Sequence, residues 1–166
     1  MSEPISNTQT LGEILETAIA FEQTAHQYFE ALRPKVAKPL RSLVADLANE
    51  EFRHYQMFRA LAEREHVHDH IRDLIATPVS DHKFSNYSHL PELDESPDDQ
   101  AILQYALGRE QTAHEHYAAL AETTPVGPIR DLFRYLADEE LRHKGELEKM
   151  YYAIVHRGGQ ASMPPK

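Results

Sequence analysis

The chain has 166 residues, enough for one domain with a sizeable core. Its formal net charge of -10 argues against the phosphate backbone of a nucleic acid as a partner. With no cysteine, any metal must be held by nitrogen and oxygen, and disulfides, thiolate sites and iron–sulfur clusters are excluded. No apolar run approaches the roughly 20 residues of a membrane span, and the start MSEPISNTQT lacks a secretory layout, so the expectation is a cytoplasmic protein with no membrane partner.

In chain order, Thr10 and Glu13 form a capping box before a first helix over about 11 to 33, which Pro34 closes. Pro39 suits the first turn of a second helix, about 39 to 65. A long connection from His66 to Ser96 follows; the piece DHIRDLIA, 69 to 76, is expected to form a short helix within it. Ser96-Pro97-Asp98-Asp99 starts a third helix over about 97 to 122, and Pro128 opens a fourth to about 156. The residues from Gly158 to Lys166 read as a disordered tail.

Two segments repeat. AFEQTAHQYFEAL (20 to 32) returns as GREQTAHEHYAAL (108 to 120), and LANEEFRHYQMF (47 to 58) returns as LADEELRHKGEL (136 to 147). The chain is therefore two copies of a helical pair, 11 to 65 and 97 to 156, each burying its apolar face against the other. The short connections make antiparallel neighbours, and the long one is a crossover. The predicted fold is an all-α four-helix bundle forming a single domain over 1 to 157.

A packed helix shows the core positions spaced alternately by four and three. These are Leu11, Leu15, Ala18, Glu22, Ala25, Phe29 and Leu32 on the first helix, then Leu40, Val44, Leu47, Glu51, His54, Phe58 and Leu61 on the second. The third gives Leu103, Ala106, Glu110, Ala113, Tyr117 and Leu120, and the fourth Ile129, Phe133, Leu136, Glu140, His143, Leu147 and Met150. Each seam is apolar except near its middle, where four glutamates and two histidines fall at similar depth. Buried carboxylates need a counter-charge. No Lys or Arg lies on the seams, so the sequence is read as offering no cation of its own, and two divalent ions would balance the four carboxylates.

Glu51 with His54, and Glu140 with His143, stand three residues apart on one helix face, whereas Glu22 and Glu110 cap the site from the other two helices. Glu63-x-x-His66 has the same spacing but leaves the seam, so it is read as solvated. His26 and His114, four residues after seam glutamates, are less certain ligands and are read as flanking groups. His66, His68, His70, His82 and His89 read as surface residues of the crossover; Tyr28, Tyr55 and Tyr117 lie near the proposed ligands.

One Glu, then Glu-x-x-His, given twice, resembles the ferritin-like di-iron carboxylate proteins, particularly rubrerythrin and bacterioferritin. The likeness spans about 11 to 155. It implies a ferritin-like bundle binding two iron ions, with manganese and zinc as alternatives. Glu51 and Glu140 would bridge, Glu22 and Glu110 would be terminal ligands, and His54 and His143 would each bind one iron. Ala113 stands where rubrerythrins typically have a further glutamate, and their cysteine-rich rubredoxin domain has no counterpart here, so the closest description is a stand-alone rubrerythrin-like protein.

The implied activity is that of an oxidoreductase: ferrous iron reacts with oxygen or hydrogen peroxide in a ferroxidase or peroxide-scavenging reaction, with an electron donor of unspecified identity. Iron storage or delivery, or a catalytically silent metal-binding bundle, are the alternatives. The expected assembly is a homodimer.

Overall fold

The computed structural model describes residues 7–77 and 98–162. In chain order the elements are β1 (Asn7–Thr10), α1 (Leu11–Leu32), α2 (Lys38–Ala62), the single turn α3 (Glu65–His68), β2 (Leu74–Thr77), α4 (Asp99–Thr123) and α5 (Pro128–Ser162). The four long helices form the bundle, α1 packing on α2 and α4 on α5.

Local chemistry sets their ends. The Thr10 hydroxyl accepts from Glu13 N at 3.1 Å while Thr10 N donates to Glu13 Oε1 at 3.2 Å, completing the expected capping box. Pro39 occupies the first turn of α2. The Asp98 carboxylate accepts from Ala101 N at 2.7 Å and caps α4. The turn into α5 passes through Gly127 at φ 156°, open to glycine because it has no Cβ. α5 runs to Ser162, beyond the expected end near 156. The expected tail thus falls partly on this helix and partly outside the described residues.

The crossover differs from expectation where it is described. Residues 69 to 76 are not helical: a turn leads into β2, which pairs antiparallel with β1, Thr10 opposite Leu74 and Asn7 opposite Thr77. The open amides at the α1 N-terminus explain the preference. Leu11 N donates to Asp73 O and Gly12 N to Ile71 O, both at 2.8 Å, satisfying donors that a helix start cannot pair internally. A Cβ on Gly12 would lie 2.9 Å from Ile71 Cγ1, so this close approach requires glycine. The rest of the crossover, with His82 and His89, lies outside the described residues, as does the His66 side chain. His68 and His70 are exposed; His70 meets Asp73 at 2.7 Å.

The core forms two apolar clusters. One gathers Leu11, Leu15, Ala18, Phe21, Phe58, Leu61, Tyr117, Leu120 and Phe133, the other Ala25, Phe29, Leu32, Leu40, Val44, Leu47, Leu103 and Ala106. The seam glutamates and histidines belong to neither, although all six are buried.

Candidate metal centre

The central side chains of the four helices converge. Glu22, Glu51, His54 and Glu140 form one group of potential metal donors, and Glu51, Glu110, Glu140 and His143 a second, with the donor atoms of each within 4.8 Å of one another. Glu51 and Glu140 belong to both groups, so each can reach two ions. His54 Nδ1 lies 3.3 Å from Glu140 Oε1 and 3.8 Å from oxygens of Glu22 and Glu51. His143 Nδ1 lies 3.2 Å from Glu51 Oε1, 3.6 Å from Glu140 Oε1 and 3.8 Å from Glu110 Oε2. The two imidazoles face each other with centroids 5.9 Å apart and planes 18° from parallel.

Glu22 Oε2, both oxygens of Glu51, His54 Nδ1, Glu110 Oε2, both oxygens of Glu140 and His143 Nδ1 are buried and make no hydrogen bond. Buried polar atoms are rarely left so, and a carboxylate acceptor needs a donor or a cation. This donor set, oxygen with imidazole nitrogen and no sulfur, suits two divalent first-row ions, and the residues fit such a pair.

Electrostatics without metal point the same way. Burial, with the Glu51 charge beside it, pushes the Glu22 carboxyl up to about 8. Burial, followed by Glu110, Glu51 and Glu22, holds Glu140 well above the usual carboxylate range. Burial also opposes ionisation of Glu51, but Glu22, His143, His54 and Arg109 outweigh it and keep its pKa well below the ordinary value. His54 and His143 are likewise desolvated, yet the surrounding carboxylates raise both imidazole pKa values. Protons on these groups then offset part of the carboxylate charge of the metal-free site.

One expectation fails. Arg109 lies off the seam, but its guanidinium reaches into the core and the residue is 1 % exposed. Nη1 stands 3.3 Å from Glu110 Oε1 and 3.8 Å from Glu51 Oε2, while Nη2 donates to Phe21 O at 3.0 Å. Cζ sits 3.8 Å above the Phe21 ring, a cation–π contact. Among the described residues, Arg109 thus sets one fixed positive charge against the four carboxylates, leaving a deficit for bound cations or protons to meet.

The flanking residues sort as follows. His26 Nδ1 and His114 Nδ1 contact Ala48 O at 2.8 Å and Ala137 O at 2.7 Å, tying the helices of each repeat together outside both donor groups. Tyr117 donates to Glu22 Oε1 at 2.6 Å. Tyr28 packs on Tyr105, and Tyr55 accepts from Arg59. Glu63 is exposed, as its register requires. Glu50, which the sequence reading passed over, contacts His143 Nε2 and lies 3.5 Å from Arg142. Its position beside Glu51 gave no seam signal.

Comparison with known proteins agrees with this architecture. The Rubrerythrin family model matches residues 101–157. A Thermotoga maritima protein assigned to the ferritin-like diiron-carboxylate class superposes with a TM-score of 0.68 at 18% identity, covering 88% of this chain and 97% of that one. A hypothetical protein from Pyrococcus furiosus gives 0.63 at 22% identity, covering 89% and 91%. The bacterioferritin-related protein of Bacteroides fragilis, a dodecameric thioferritin, gives 0.68 at 18% identity, covering 93% and 90%. No curated protein sequence matches the chain. In fold the chain is a ferritin-like four-helix bundle, and its second helical pair carries the rubrerythrin family's sequence pattern.

Proposed function

We propose that the chain is a di-iron oxidoreductase in which ferrous iron reacts with oxygen or hydrogen peroxide. The observation that carries this reading is the set of buried Glu and His donor atoms without hydrogen bonds, divided into two groups that share Glu51 and Glu140. Iron ions bound there would supply paired one-electron chemistry to an oxidant.

The chain's own residues have distinct tasks. Glu51 and Glu140 each offer two oxygens, so they can hold neighbouring ions at a fixed separation. Glu22 and Glu110 cap the ends, the first oriented by the Tyr117 hydroxyl and the second by Arg109. His54 and His143 provide nitrogen donors, and Glu50 at His143 Nε2 fixes that ring and raises its basicity. Phe21, Phe58, Phe133 and Tyr117 pack in one buried apolar cluster, from which the Tyr117 hydroxyl reaches Glu22.

The test is anaerobic loading with ferrous iron followed by oxygen. Two irons per chain, oxygen consumption and an oxo-bridged ferric absorption band are expected. No iron uptake would refute the proposal.

A second reading, iron storage or delivery, draws on the likeness in fold to the dodecameric thioferritin. Native mass separates the two: a large closed assembly retaining many irons per subunit supports storage, whereas a monomer or dimer with two irons supports redox chemistry.

A further inference from the structure

The internal repeat makes the two ends of the metal layer comparable residue by residue. Glu22 corresponds to Glu110 and Phe21 to Arg109, both 88 positions on; Phe29 corresponds to Tyr117 at the same offset. The ligand pattern is duplicated, but the residues beside it are not. At one end Glu22 Oε1 accepts from the neutral hydroxyl of Tyr117. At the other Glu110 Oε1 accepts from the cationic guanidinium of Arg109 at 3.3 Å, while the same guanidinium stands farther, 3.8 Å, from Oε2 of the shared Glu51. That guanidinium is fixed by its own counterpart in the repeat, stacking on the Phe21 ring and donating to the Phe21 carbonyl.

Resting on the two-metal reading above, we infer that Arg109 makes the two metal positions unequal. The first divalent ion enters on the Glu22–His54 side, and the ion on the Glu110–His143 side binds more weakly.

The physical reason is competition and repulsion. An ion approaching Glu110 must share that carboxylate with a charge it cannot displace, since arginine stays protonated and its guanidinium is anchored on Phe21. It also meets a like charge across a water-poor interior, where Coulomb interactions are far less screened than in solvent. Glu50 acts in the opposite sense, placing a carboxylate behind His143. Its side chain is 22% exposed and shared with Arg142, whereas Arg109 is 1% exposed, so the buried cation outweighs the screened anion.

Anaerobic titration with cobalt(II) alone, read by its visible absorption and by chelator competition, tests this without turnover. The wild-type protein is expected to bind two ions in two resolved steps, with dissociation constants roughly ten-fold or more apart. Arg109→Met removes the charge while keeping an unbranched apolar stem, and should bring the steps together. Arg109→Lys should keep them apart. Glu110→Ala should retain the tight step and lose the weak one, and Glu22→Ala should lose the tight step; this pair assigns the order even if Arg109→Met does not fold.

Two ions bound in one unresolved step, an unchanged separation in Arg109→Met, or a tight step that survives in Glu22→Ala overturns the inference alone. Fewer than two saturable ions in the wild-type protein overturns the two-metal reading with it.

Discussion

Tyr117 and Glu22 lie 95 residues apart in the chain and meet across the bundle, the phenol donating to Glu22 Oε1 at 2.6 Å. Burial, with the carboxylates of Glu22 and Glu140 nearby, holds the Tyr117 pKa well above its ordinary value, so the hydroxyl remains a donor at any working pH. Its ring also packs on Phe133 and Phe58, which makes it at once core and orienting group.

Tyr117→Phe should therefore separate these roles. The ring contacts persist, and thermal stability should fall by only about 1 kcal/mol for the lost hydrogen bond. Metal affinity on the Glu22 side should weaken by about ten-fold or more, because an unsupported ligand loses its preferred orientation. Chelator competition on the two proteins measures the difference; equal affinities would show that the phenol only packs.

Glu140→Gln should distinguish folding from binding at one ligand. The metal-free carboxyl at this position is held largely protonated by burial and by Glu110, Glu51 and Glu22. Glutamine copies that neutral form, so metal-free stability should change by less than about 1 kcal/mol. Metal stoichiometry should nevertheless drop below two, since a shared ligand has gone. Unfolding curves and metal analysis on the same preparation provide both readouts.

The metal-free protein should lose stability as the pH rises. A carboxyl with a raised folded pKa keeps its proton where the unfolded chain has released it, so stability falls with pH across that interval. For Glu22 the interval runs from 4.5 to about 8. The raised imidazoles of His54 and His143 contribute in the same direction above 6.5, because their stabilisation is complete below that value and is lost as pH climbs towards the folded pKa. Glu51, held low, adds stability above 4.5 that is lost in acid. Metal competes with these protons, so its affinity grows with pH. Calorimetry with chelator and with bound metal should give a melting-temperature gap that widens from about pH 6 to about pH 8; a gap independent of pH would contradict this assignment of the protons.

His26→Ala and His114→Ala should each lower stability by about 1 kcal/mol, because the bond from the ring to the helix carbonyl of Ala48 or Ala137, made in addition to the helix's own, is lost. Both variants should still bind two metal ions. Loss of an ion in either one would make that histidine a ligand.

The bundle was legible in the sequence because each long helix keeps an apolar seam of alternating four and three spacing, interrupted at one level. Glu22, Glu51, His54, Glu110, Glu140 and His143 are buried where that register puts them. Arg109 escaped the same reasoning because it lies one position off the seam and reaches the layer through a long flexible stem. The available signal was the broken repeat, an arginine where the first copy has Phe21. The stretch 69 to 76 was misread for a different reason: its spacing permits a helix, but β1 and the open amides of α1 offer its backbone long-range partners that local pattern does not encode. Glu50 was hidden by its neighbour, since only coordinates show that it turns towards His143 of the other repeat.

Anomalous scattering at the iron edge, from crystals loaded anaerobically with ferrous iron, locates the bound ions themselves. Two peaks are expected within the polar layer, one bounded by Glu22 and His54, the other by Glu110 and His143, with Glu51 and Glu140 touching both. Iron bound only at surface carboxylates, or no density among these six side chains, would contradict that placement.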